Sequence, residues 1–259
     1  MLTLTNFINE GKSMPLREEH VKTGAWLFRR RSYVPLFLLL IVFLGISQFY
    51  YPGETQEKSL TWDLISIGVT LLGLFTRILT IGFTPRHTSG TNTGGQVAAV
   101  VNTTGIYSQV RHPLYLGNFL MWMGIFLFFR TWWLSVIIGL LFWIYYERIM
   151  FTEEEYLRDK FGDDYVAWAG STPAFVPRFK QWRKPALSFS FRKAIKNEYQ
   201  STFAILVCSA LVRFAADSYI AQRAAFDKSW LTAVGIGLIL FLTLRTLKKK
   251  TRLLEEEGR

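Results

Sequence analysis

The sequence predicts an all-α fold, a polytopic integral membrane helical bundle of about six transmembrane helices. Half of the residues are apolar, and they gather into separate, almost uncharged stretches of roughly the length that crosses a hydrocarbon core. Lysine and arginine outnumber aspartate and glutamate by 11, and the excess is sorted unevenly between the connecting segments. A soluble nucleic-acid binder can share that charge, but it does not repeat apolar stretches of this kind, so no nucleic-acid partner is expected.

Residues 1–32 form a polar, basic lead-in, either a surface helix around Glu18 to Phe28 or a frayed tail. Tyr33 to Tyr50 is the first span, closed by a turn at Pro52-Gly53. Leu60 to Phe83 is the second, with Thr61 as its N-cap and Asp63 in its first turn. Arg77, near the end of that span, either snorkels to the headgroups or faces the bundle interior to hold an acidic lipid headgroup. Thr84 to Thr104 is a polar loop whose Gly94-Gly95 pair lacks the spacing of a phosphate loop. It completes a unit of residues 33–104.

Pro113 to Phe129 and Trp132 to Tyr146 make a third and fourth span joined by a tight turn at Arg130-Thr131, with aromatic residues at both rims. Glu147 to Phe161 continues the fourth helix beyond the membrane to Gly162, a good C-terminal stop. Asp163 or Asp164 caps a short helix ending near Gly170, and Pro173 and Pro177 keep the next segment extended.

Phe179 to Thr202, basic with interleaved aromatics, reads as an amphipathic segment lying on anionic lipid. Phe203 to Ile220 and Trp230 to Leu247 are the last two spans, the former with Arg213 and Asp217 spaced to pair. Cys208 is a packing residue. Of the basic residues, Lys58, Arg130, Arg223 and Lys228 fall in the outer loops, whereas Arg148 to Thr202 carries ten. By the positive-inside rule both termini and the Arg111 and Glu154 ends of the third and fourth helices are cytoplasmic, in an inner or plasma membrane.

The third and fourth helices form a hairpin, so Arg111, His112 and Tyr115 return to the level of Glu147, Glu153 and Glu154. Glu147 and Glu154 lie two turns apart on one face, and Glu153 lies about 100° around. Pro113 suits the first helical position, and the amides just before it are expected to be free for an anionic group. His112 has two open roles, helix capping and ligand binding. His20 and His87 are surface histidines, and no metal-ligand spacing occurs. Without further context Glu155 is a solvated helix face.

Three motifs stand in order here: Gly105-Ile-Tyr-Ser-Gln-Val-Arg-His-Pro-Leu-Tyr-Leu-Gly117, then Glu153-Glu154-x-x-Leu157-x-x-x-Phe161-Gly162-x-x-Tyr165, then Pro173-x-x-x-Pro177. Together they resemble the isoprenylcysteine carboxyl methyltransferase family and its phospholipid methyltransferase relatives. The resemblance covers residues 105–178 as a motif region and implies a cofactor-binding segment after the fourth span. It also implies transfer of a methyl group from S-adenosylmethionine to a membrane lipid or lipidated acceptor. Under it, Tyr107, His112, Pro113, Tyr115, Gly117, Glu153 and Glu154 bind the cofactor, with Glu153 or Glu154 on its ammonium group, while Arg111 and Glu154 are catalytic. Residues 179–259, a basic linker and two further spans, depart from the family's usual ending near the last motif and leave the acceptor open among carboxylate, phosphate and amine headgroups. Competing readings are a sterol-type reductase using a reduced nicotinamide cofactor, which shares the His-Pro-x-Tyr arrangement, and a transporter or scaffold, for which an internal repeat is missing.

Overall fold

The computed structural model describes residues 15–30, 45–46, 56–85 and 98–256. Among them the chain forms seven α-helices and no strand: α1 Leu16–Arg30, α2 Gln56–Phe83, α3 Pro113–Leu127, α4 Trp132–Phe161, α5 Asp163–Ser171, α6 Phe191–Ala221 and α7 Lys228–Lys250. This is the helical membrane bundle the apolar stretches imply. Four helices are long and apolar enough to cross a membrane, namely Leu60–Phe83 of α2, and α4, α6 and α7. The span expected at Tyr33 to Tyr50, the loop around Gly94 and His87 all fall largely or wholly outside the described residues. The third expected span is short. At 15 residues α3 rises only about 22 Å, less than the ~30 Å hydrocarbon core.

α2 and α3 pack backbone to backbone because small residues line the seam. A Cβ on Gly73 would lie 2.5 Å from the Gly117 carbonyl oxygen, and one on Gly124 would lie 2.1 Å from Thr70 Oγ1. Lipid offers no water-driven push between helices, so close approach of this kind is a main source of cohesion. Around the seam Leu74, Met121, Ile125, Phe126, Leu134, Ile138 and Val212 form a buried cluster drawn from α2, α3, α4 and α6.

The turn between α3 and α4 is tight, as expected, and Arg130 takes a left-handed φ of 58° in it. Its guanidinium is buried against Asp63, with Nη2 to Oδ1 at 2.8 Å, and Arg213 reaches the other oxygen of Asp63 at 2.9 Å. Arg213 also pairs with Asp217 at 2.9 Å, as its spacing predicts. Asp63 therefore ties α2 to the hairpin turn and to α6. The expected cap is corrected, because α2 starts at Gln56: Thr61 and Asp63 lie within the helix, and Asp63 answers two arginines rather than a helix dipole.

At 30 residues α4 is about 45 Å long, so its final third must leave the hydrocarbon core. α1 braces that projecting part: the Thr152 hydroxyl donates to the Val21 carbonyl at 3.2 Å and Arg148 Nη1 to Thr23 Oγ1 at 3.2 Å. The turn at Gly162 has a φ of 53°, which stops α4 as predicted. α5 follows with Gly162 itself as N-cap, so Asp163 and Asp164 occupy the first turn instead of capping it. The last two expected spans fall in helices longer than those stretches: α6 begins at a Ser190 cap whose side chain accepts from Lys193 N, and α7 at an Asp227 cap that accepts from Ser229 N and Trp230 N. The linker between α5 and α6 is correspondingly shorter than Phe179 to Thr202.

Candidate active site

The site is assembled where α3 begins and the projecting part of α4 passes it. Gly105, at φ 60°, turns the chain into a short 3-10 turn at Ile106–Ser108, and residues 109–112 then run alongside the extended segment after α5. Arg111 N donates to the Pro173 carbonyl at 2.9 Å, His112 N to the Ala174 carbonyl at 3.1 Å, and Arg178 N to the Gln109 carbonyl at 2.9 Å. This corrects one expectation: the amides before Pro113 are taken by main-chain carbonyls and are not free for an anion. Pro113 does occupy the first turn of the helix, with His112 as N-cap.

His112 makes no side-chain cap, which closes the capping alternative. Its Nε2 instead lies 2.8 Å from Glu154 Oε1, and its Nδ1 lies 3.9 Å from Glu153 Oε2. Glu153 accepts a hydrogen bond from the Tyr115 hydroxyl at 2.8 Å. Arg111 Nε stands 3.0 Å from the same Glu154 oxygen, while Arg111 Nη1 donates to the Ala169 carbonyl at 2.7 Å. The two adjacent acids thus flank His112 and otherwise take different partners, Tyr115 for Glu153 and Arg111 for Glu154, as their 100° separation allows. The Tyr115 ring stacks on His112 with centroids 5.6 Å apart and meets Tyr146 at 5.1 Å.

Two phenols close the rear. Burial, and then the charge of Glu154, push the Tyr165 hydroxyl above the ordinary tyrosine range; burial and the charge of Glu153 do the same for Tyr107. The buried Tyr165 hydroxyl faces the Glu154 carboxylate, and among the described residues the indole N–H of Trp168, whose ring packs edge-on against Tyr165 at 5.7 Å, has no hydrogen-bond partner.

Of the residues singled out from sequence, Arg111, His112, Tyr115, Glu153 and Glu154 converge, with Pro113 starting the helix that carries Tyr115 and Tyr107 within the electrostatic influence of Glu153. Glu147 does not join them and is exposed. Gly117 sits in the α2–α3 seam, where a Cβ would come 2.5 Å from Arg77 Cγ. Glu155 is not an idle surface acid: it pairs with Arg17 of α1 and, at 3.8 Å, with Arg158. Arg77 faces inward, but neither sequence reading named its partner, Glu198 of α6, which it grips through two nitrogens at 2.9 and 2.6 Å while reaching Asn118 Oδ1 at 2.6 Å. Asn118 in turn donates to the Tyr146 hydroxyl at 3.1 Å, so a polar chain runs from α6 to the ring beneath Tyr115. Tyr165 was visible as the last letter of the Phe161-Gly162-x-x-Tyr165 motif; Trp168 and Glu198 carried no comparable signal.

Fold and site define a helical membrane protein with a paired-acid cluster at one end of the bundle. Over residues 64–164 the chain matches the family model for phospholipid methyltransferases, which bears out the resemblance carried by the motifs. The chain is 33% identical over 75 residues to the protein-S-isoprenylcysteine O-methyltransferase of Schizosaccharomyces pombe, covering 29% of this chain and 32% of that protein. It is 32% identical over 124 residues to the nickel-cobalt-cadmium resistance protein NccN of Alcaligenes xylosoxydans xylosoxydans, covering 47% of this chain and 57% of the relative. The cobalt-zinc-cadmium resistance protein CzcN of Cupriavidus metallidurans is 33% identical over 81 residues, 31% of this chain and 37% of its own length. The matched segments thus span from a third to a little over half of these relatives. No solved structure matches the chain. Among the described residues no group of three or more His, Cys, Asp or Glu side chains is placed to hold a metal ion.

Proposed function

We propose that the protein is an S-adenosylmethionine-dependent methyltransferase acting on a membrane-embedded lipid or lipidated acceptor at the cytoplasmic interface. The observation that carries this reading is the convergence of Arg111, His112, Tyr115, Glu153 and Glu154 at the edge of the bundle, all within the segment that matches a methyltransferase family. That match favours methyl transfer over nicotinamide-dependent reduction.

The residues suit the cofactor chemically. Two carboxylates of intermediate exposure can take its ammonium group, aromatic faces of Tyr115 and His112 can line the path of a cation, and the indole N–H of Trp168 can donate to an acceptor atom. Bound S-adenosylmethionine would supply a methyl group carried on a sulfonium, which is lost in line to a nucleophile. The chain's own work is then alignment and exclusion of water. Arg111 and His112 hold Glu154 ionised and oriented, Tyr115 orients Glu153 through its hydroxyl, and the Pro173 and Ala174 carbonyls fix the backbone of Arg111 and His112. An acceptor carboxylate or phosphate is already ionised at neutral pH and asks for no general base.

The test is incubation of membranes containing the protein with radiolabelled S-adenosylmethionine, followed by lipid extraction. Label in a lipid or lipidated product, absent with Glu154→Gln, is the expected result. Failure of the purified protein to bind the cofactor at millimolar concentration in calorimetry would overturn the reading.

A further inference from the structure

The linker between α5 and α6 has an inner edge and an outer face of different character. Its inner edge is stitched to the site loop: Gly105 N donates to the Arg183 carbonyl at 2.9 Å, Arg183 N to Ser108 Oγ at 3.0 Å, and Arg178 N to the Gln109 carbonyl at 2.9 Å. Where the linker ends, Ser190 N donates to the Gly82 carbonyl at 2.9 Å, and the Phe189 ring packs against Phe83 at 5.2 Å. The linker is therefore held at the level where apolar α2 ends and apolar α3 and α6 begin, the level of a membrane interface.

Its outer face is laid bare. Residues 178–184 are exposed without interruption, and Val176, Phe179 and Trp182 are 74%, 83% and 59% exposed. Interleaved with them are Arg178, Lys180, Arg183 and Lys184, and no acidic residue occurs between Asp164 and Glu198. Among the described residues none of these four cations forms an ion pair with a carboxylate. Large exposed aromatics are costly in water, and uncompensated cations repel one another. An anionic leaflet answers both, taking aromatic rings at headgroup depth and attracting basic residues within a Debye length.

We propose that the outer face of residues 176–184 is a docking surface for anionic phospholipid headgroups of the protein's own membrane, with Phe179 and Trp182 entering the interface and Lys180, Arg183 and Lys184 meeting the phosphates. This contact does not depend on which reaction the neighbouring site performs. It gives the main-chain ribbon that holds Arg111 and His112 an outer support of lipid.

The proposal is tested by Gln181→Cys in a Cys208→Ala background, labelled with an environment-sensitive fluorophore and reconstituted in nanodiscs of phosphatidylcholine alone or mixed with phosphatidylglycerol. Blue-shifted emission in the anionic discs is expected, reversed by high salt and lost in the triple variant Lys180→Gln, Arg183→Gln, Lys184→Gln. That variant leaves the main-chain bonds of the linker intact, so loss of the shift reports charge and not unfolding. Equal emission in both lipid compositions, or a shift indifferent to the triple substitution, overturns the proposal. A response only to added RNA or acidic peptide, with none to phosphatidylglycerol, overturns it equally by assigning the face to a soluble polyanion.

Discussion

Three consecutive glutamates of α4 have three different fates. Glu153 answers Tyr115, Glu154 answers Arg111 and His112, and Glu155 turns outward to α1. Replacing Glu154 with Gln keeps its shape and removes the charge, so cofactor binding followed by calorimetry should weaken by roughly 1.5 to 3 kcal/mol, the scale of a charge-assisted hydrogen bond. Glu155→Gln should leave that affinity alone and show itself as faster hydrogen exchange in α1. Tyr165 supplies a second residue-scale test, since its buried hydroxyl faces the Glu154 carboxylate. Tyr165→Phe should lower the neutral-pH unfolding midpoint in detergent slightly and weaken cofactor binding by about 0.5 to 1.5 kcal/mol, the worth of one hydrogen bond to Glu154. The raised pKa of this phenol means that its contribution to stability is complete below the ordinary value of about 10 and is lost as pH climbs through the folded-state value. The phenylalanine variant should accordingly lose less stability on the alkaline side, as read from unfolding midpoints against pH.

Between elements, the structure depends on pairs the sequence keeps far apart. The hairpin cluster was legible because folding two neighbouring helices back on each other brings their open ends together, whatever else the chain does. The Arg77–Glu198 pair was not, because 121 positions separate its members and no periodicity relates one helix to another. The same blindness explains the misread amides of Arg111 and His112: Pro173 and Pro177 announced an extended segment, but not the ribbon it would pair with. Gly117 illustrates the converse, a motif residue whose immediate surroundings are the backbone of α2 and the stem of Arg77. Glu198 is 2% exposed, so Glu198→Gln leaves the partly buried Arg77 guanidinium without its carboxylate and should cost about 3 kcal/mol of stability, whereas the double variant Arg77→Met, Glu198→Leu should recover most of it. Thermal unfolding in detergent compares the two. A double variant as unstable as the single one would show that the pair holds α6 by more than mutual charge neutralisation.

Across the whole molecule the two ends of the bundle differ in how their charge is used. At one end Asp63 absorbs Arg130, and Asp63 and Asp217 absorb Arg213. Some 25 Å away, the rise of the 17 residues between Pro113 and Arg130, lie the site and the exposed cations of the linker. α6 leaves from this site end and α7 returns to it, as the bond from Lys248 Nζ to the Lys196 carbonyl at 2.9 Å shows. Basic residues near the ends of spans set orientation when they are not neutralised, so the site end is expected in the cytoplasm, where the proposed cofactor is made. In a Cys208→Ala background, a cysteine introduced at exposed Asp164 should react with a membrane-impermeant maleimide only in inside-out vesicles, and one at exposed Arg223 only in right-side-out vesicles. The paired positions guard against a leaky preparation, since leakage labels both in both. The opposite pattern would place the paired acids on the outer surface, away from the cytoplasmic supply of S-adenosylmethionine, and would count against the methyl-transfer reading as directly as a failed binding experiment.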